Sequence, residues 1–152
     1  MPSCADFAVR LASLGLPLTL RSIDDCSRHE YLDRLFSRDA GKDVEVLDQS
    51  LENRQVLMAP PVLTELLSDP KITSEVSNTL SELPLIEIQP GFWNRAGALR
   101  ASVLAKGRKA RFGDSLIAQS CLDAGIPLLT RDRDFRAFAE AGSLNILIAI
   151  LA

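Results

Sequence analysis

Residues 113–135 read GDSLIAQSCLDAGIPLLTRDRDF, and a change of period inside this stretch decides the fold. Counting from Asp114, the residues Ile117, Ala118, Cys121 and Gly125 recur at three- and four-residue steps. At about 100° per residue they share one helical face. Gly113-Asp114 opens this helix, which runs to Asp123, and Gly125 stops it. Ile126 to Thr130 is then a short, nearly continuous apolar run, the pattern of a strand covered on both faces. Arg131-Asp132 follows it directly, and Asp134 to Ala141 reads as a short helix. One acid therefore opens a helix and another ends the strand after it.

The same alternation extends in both directions. Upstream, Leu16 to Ile23 reads as strand one ending at Asp24, with helices over Ser27 to Ser37 and about Asp43 to Asn53. Gln55 to Ala59 is a short strand, and Pro60-Pro61 opens a helix that carries Val62, Leu63, Glu65, Leu66 and Leu67. A helix over Lys71 to Leu83, a strand over Leu85 to Ile88 and a long helix from Phe92 to Lys106 follow. Leu144 to Ile150 is the last strand, and Ser3 to Leu14 has the spacing of an amphipathic helix. Strands alternating with helices imply an α/β fold, with a parallel sheet covered on both faces.

The bulk numbers narrow the class. A chain of 152 residues fits one domain with a substantial core. With 47% hydrophobic and 24% charged residues it is globular. Aromatics are 5%, which argues against an aromatic stacking platform for RNA. The three cysteines, Cys4, Cys26 and Cys121, lack paired spacing, so a reduced, cytoplasmic chain is expected. His29 is the only histidine, which leaves no zinc motif. Asp6 and Arg10 interrupt any signal-peptide core, and no apolar run reaches membrane-spanning length.

Asp24, Glu65, Asp114 and Asp132 end strands or lie on adjoining helices. Ligands of open parallel sheets bind beyond the carboxyl ends of the strands. Converging carboxylates repel one another and are costly to bury without a cation. A hard divalent ion with oxygen ligands compensates them best. The formal charge of −3 becomes +1 once these four acids are set aside, so a polyanionic substrate is not excluded. Each acid also has an ordinary reading. Asp114 would serve as a helix cap, Glu65 as a solvated helix residue, Asp132 as a turn residue, and Asp25 stands beside Asp24 as a rival.

Three stretches carry a family resemblance: Ala59-Pro60-Pro61-Val62-Leu63-Thr64-Glu65-Leu66-Leu67, Gly113-Asp114-Ser115-Leu116-Ile117-Ala118, and Pro127 to Phe135. In this order they resemble the second, third and fourth acidic motifs of the PIN domain, and within it the VapC toxins of toxin–antitoxin pairs. Around Asp24 the match is looser, because the polar Arg28-His29-Glu30 follows where an apolar helix is usual. The resemblance implies a three-layer α/β/α domain over residues 16–152, with a central parallel sheet of about five strands. Residues 1–15 would be a helical extension.

It further implies a metal-dependent endoribonuclease for single-stranded or looped RNA. Asp24, Glu65, Asp114 and Asp132 would hold one or two Mg²⁺ or Mn²⁺ ions, with Asp134 as an additional ligand. Ser27 or Thr130 would orient a carboxylate or water. Lys106, Arg108, Lys109 and Arg111 form a basic loop beside Asp114, and with Arg131 they are the candidate phosphate contacts. A solvated loop is the plain alternative. The implied partners are an RNA substrate, a VapB-like antitoxin and a second copy of the chain, with no membrane. The rival from another class is a PIN-like module that binds protein or RNA without turnover.

Overall fold

The structure, a computed structural model, describes residues 18–20, 49–50, 53, 55–130 and 132–147. The elements are β1 (Leu18–Leu20), β2 (Val56–Met58), α1 (Pro60–Leu67), α2 (Ser74–Glu82), α3 (Phe92–Ala105), α4 (Phe112–Ala124), β3 (Leu128–Leu129), α5 (Arg136–Gly142) and β4 (Ile146–Leu147). A 3-10 turn, Arg133–Phe135, leads into α5. Among the described residues four strands pair in parallel in the order β2-β1-β3-β4. This is the parallel α/β architecture that the alternation predicts. The expected helices over Ser3 to Leu14 and Ser27 to Ser37 lie outside the described residues, as does residue 24. Of the helix expected over Asp43 to Asn53, Gln49 and Ser50 are described as helical.

Strand β3 is shorter than its apolar run, and the hydrogen bonds show why. The Ile126 N–H donates to the Cys121 carbonyl as part of the end of α4, and Pro127 has no N–H to give. The ladder with β4 therefore starts at Leu128, whose N–H donates to Asn145 O at 2.8 Å. Leu85 to Ile88 does not form the expected strand. It makes one parallel bridge, Met58 to Leu85, in which Met58 N–H donates to Pro84 O and Ile86 N–H to Met58 O, both at 2.9 Å. Pairing stops there because β2 ends at Met58 and α1 starts at Pro60, which removes the partner.

Helix boundaries follow capping chemistry. The second helix starts at Ser74 and not at Lys71, because Thr73 caps it by accepting the Val76 N–H. Gly125 ends α4 at φ 66°, a left-handed geometry that suits glycine. Arg95, near the start of α3, reaches Asp123 near the end of α4. Arg100, further along α3, donates to Ala110 O, just before α4. The two helices thus run antiparallel. Gly142, at the end of α5, approaches them so closely that a Cβ there would lie 2.7 Å from Leu99 and 3.2 Å from Leu122.

One core joins these layers. It contains Val56 and Met58 of β2, Val62 of α1, Val103 of α3, Ile117 of α4, Leu128 of β3, Phe135 of the 3-10 turn and Phe138 of α5. Phe92 is buried, whereas Trp93 next to it is 65% exposed. Among the described residues no helix is long and apolar enough to cross a membrane.

Candidate functional site

Crossover helices start where strands end, so the carboxyl edge of the sheet collects the ends of β2 and β3 and the first turn of α4. Three of the four acids singled out by sequence are among the described residues. Asp114 is the third residue of α4 and only 2% exposed. It is not the helix cap: Arg111 holds that position and makes no side-chain capping bond. Asp114 is buried because Ile117, Ala118 and Cys121, on the same face, are all buried. The helix dipole favours an anion in this first turn.

Glu65 lies near the end of α1 and is half-buried. Its Oε1 is 3.7 Å from the point where a Cβ on Gly113 would sit. The Glu65 carboxylate therefore lies within ordinary contact range of residue 113, beside Asp114 in the chain.

Asp132 is 6% exposed and caps the 3-10 turn, its Oδ1 accepting the Asp134 N–H at 2.8 Å. The turn reading of this residue is thus realised, and it fixes how the carboxylate is held. Thr130 Oγ1 accepts the Asp132 N–H at 3.0 Å, so this threonine orients Asp132 through the backbone. Asp134 is half-buried. Asp24, Asp25, Ser27, His29 and Arg131 lie outside the described residues.

The donor set is all oxygen, as a hard cation requires. Among the described residues, however, no three His, Cys, Asp or Glu side chains close into one group of metal ligands. Glu65, Asp114 and Asp132 do not form such a group among themselves. Oxygen donors of this kind suit a hard divalent ion such as Mg²⁺ or Mn²⁺.

The basic loop is partly occupied with itself. Lys106 Nζ donates to Glu140 O at 2.8 Å, and Arg108 lies 3.8 Å from the Glu140 carboxylate. Lys109 and Arg111 are exposed. Arg95, by contrast, is structural. Its fork donates to both Asp123 oxygens at 2.9 and 2.6 Å and to Pro90 O at 2.8 Å. Gln119 donates to Asp123 as well, at 2.8 Å. The Arg95 hydrogen bonds hold the Asp123 carboxyl below its ordinary range, and Asp123 raises the Arg95 guanidinium above its own. The Gln119–Asp123 step of four on one helix was legible in sequence; the Arg95 contact, between two helices, was not. Sequence reasoning also passed over Phe112, which is 67% exposed at the start of α4.

A parallel α/β domain with buried acids just past β3 and in the first turn of α4 defines the class. The sequence profile of the PIN domain matches residues 34–141, and the chain belongs to the PIN domain family. The fold is similar to that of chains in three solved structures. In the DNA-bound VapBC from Salmonella typhimurium the identity is 15% and the TM-score 0.62, covering 89% of this chain and 99% of that one. VapBC2 from Rickettsia felis, bound to a promoter DNA fragment, gives 15% and 0.60, covering 88% and 98%. VapBC-5 from Mycobacterium tuberculosis gives 17% and 0.52, covering 89% and 98%. No curated protein gives a significant match.

Proposed function

We propose that this chain is a metal-dependent endoribonuclease that hydrolyses phosphodiester bonds in single-stranded or looped RNA, as the toxin of a toxin–antitoxin pair. The observation that carries the reading is the burial of Asp114, in the first turn of α4, and of Asp132, just past β3, with Glu65 in contact range of residue 113. Buried carboxylates on separate elements are retained at a cost that a bound cation offsets.

Asp24, Glu65, Asp114 and Asp132 are the proposed ligands of one or two Mg²⁺ or Mn²⁺ ions, with Asp134 beside them. When bound, such an ion supplies Lewis acidity at the phosphodiester and lowers the pKa of water. The protein's own part is placement. Thr130 and the Asp132 cap hold one carboxylate in a fixed orientation. The buried face of α4 holds another. Ser27 is assigned a similar orienting role near Asp24.

Lys106, Arg108, Lys109, Arg111 and Arg131 are the proposed phosphate contacts. Exposed pairs such as Arg108 with Glu140 are weak, so exchange for a phosphate is cheap. The similar chains belong to VapBC complexes, which supports a VapB-like antitoxin as partner. A homodimer, a cytoplasmic location without membrane attachment, and a domain over residues 16–152 preceded by an extension complete the proposal.

The test is cleavage of a mixed RNA pool with Mn²⁺, Mg²⁺ or EDTA by the protein and its Asp114→Asn variant. Cutting that needs the metal and is lost in the variant is the expected result. A folded, partner-free protein that cuts nothing with either metal would favour the second reading, a PIN-like module that binds without turnover. That reading draws support from the polar Arg28-His29-Glu30 after Asp24.

A further inference from the structure

The start of α4 carries an aromatic ring that the core does not use. Phe112 is 67% exposed, while the opposite face of the same helix is buried. The ring is not carried on a loose loop. Ala110, two residues earlier, is buried, and its carbonyl accepts from Arg100 Nε at 3.0 Å. The Arg111 carbonyl accepts the Ser115 N–H at 3.1 Å and the Ser115 hydroxyl at 2.9 Å. The backbone before Phe112 is therefore fastened to α3 and to α4 itself, and the ring is held outward.

Its surroundings indicate what it meets. Arg108, Lys109 and Arg111 precede it, all exposed, and no acid falls between Lys106 and Gly113. A ring among cations suits a ligand that offers a flat face and negative charge together. Single-stranded nucleic acid does so, because its bases are free to stack and its phosphates run alongside. Duplex RNA hides the base faces. Asp114 is two residues further on, roughly 200° around the helix. The ring and the carboxylate therefore leave opposite sides of the first turn of α4, and the base the ring meets lies off the acidic edge.

We propose that Phe112 stacks on a base of single-stranded RNA outside the acidic edge, with Lys109 and Arg111 on the adjoining phosphates. This rests on the nuclease reading above. The low aromatic content argues against a platform of several rings; one base needs only one.

The test uses Asp114→Asn as background, so that binding is read without cutting. Fluorescence anisotropy with a fluorescein-labelled single-stranded RNA of mixed sequence compares Phe112 with Phe112→Ala and Phe112→Trp. The alanine variant is expected to bind roughly ten-fold more weakly and the tryptophan variant to retain affinity. The same strand annealed into a duplex should bind with no dependence on residue 112. Because the ring is exposed, melting by circular dichroism should be unchanged. Equal affinity of the alanine and parent proteins would overturn this inference and leave the nuclease reading standing. Absence of RNA binding in every variant, with no cutting by the wild-type chain, would overturn both. A change in oligomeric mass on Phe112→Ala with unchanged RNA affinity would make the ring a protein contact and also overturn it.

Discussion

Replacing Ile117 by alanine probes the surface that buries Asp114. Ile117 is 0% exposed and lies three residues along α4 from the acid, on the same face. The substitution removes three carbons, worth roughly 2.4 kcal/mol at about 0.8 kcal/mol each. The surrounding core relaxes only in part, and the cavity brings the total to about 3–4 kcal/mol. For a domain of this length each kcal/mol moves Tm by about 2–4 °C, so a fall of roughly 6–16 °C is expected. Leu104→Ala removes the same number of carbons from a side chain that is 45% exposed on α3, and should cost no more than about 1 kcal/mol. Urea and thermal unfolding followed by circular dichroism measure both. Equal losses, or less than about 1 kcal/mol at Ile117, would refute the burial of this face and with it the physical case for a compensated Asp114.

Other outcomes follow from the same geometry. Mn²⁺ at a hundred times its Kd should stabilise the native chain by about 2.7 kcal/mol, a Tm rise of roughly 5–11 °C. Asp114→Asn should abolish that rise in a thermal-shift assay, and an equal rise in both proteins would remove Asp114 from the ligand set. Asp123 has a depressed folded-state pKa, owed first to the Arg95 hydrogen bonds. Its contribution is present above the unfolded value near ~3.9 and lost as pH falls through the folded one. Asp123→Asn should therefore be the less stable protein at pH 7, with the gap closing below about pH 4; a gap independent of pH would show that charge plays no part. At Gly125, φ is 66° and nothing lies within 4 Å of an added Cβ, so Gly125→Ala should cost about 1 kcal/mol through backbone strain alone. Gly97 lies within α3, its added Cβ also in open space, and Gly97→Ala should instead gain about 0.5–1 kcal/mol. Equilibrium unfolding that gave the two glycine variants the same sign would contradict the assigned backbone conformations.

Much of the fold was legible because local rules and tertiary packing agree. The face Asp114, Ile117, Ala118, Cys121 is a matter of helical period, and all four are buried. Pro60 and Gly125 mark helix ends through backbone restrictions that operate in any context. The segment Leu85 to Ile88 misled, because an apolar run states only that a strand is affordable. Whether it pairs depends on how far its neighbour extends, and β2 stops at Met58.

The sequence by itself determined the alternation of helix and strand, the order of the acidic motifs and hence the family. These depend on side-chain period and on residues that act on their own backbone. Only the tertiary structure decided which polar groups are engaged. Arg95 is spent on Asp123, Lys106 and Arg108 on Glu140, and Asp132 on capping a turn. It also decided that Phe92 is buried while Trp93 and Phe112 face water. Such choices are made between elements distant in sequence, where no local period reaches, and they separate a charge or ring that holds the fold together from one that remains exposed for a ligand.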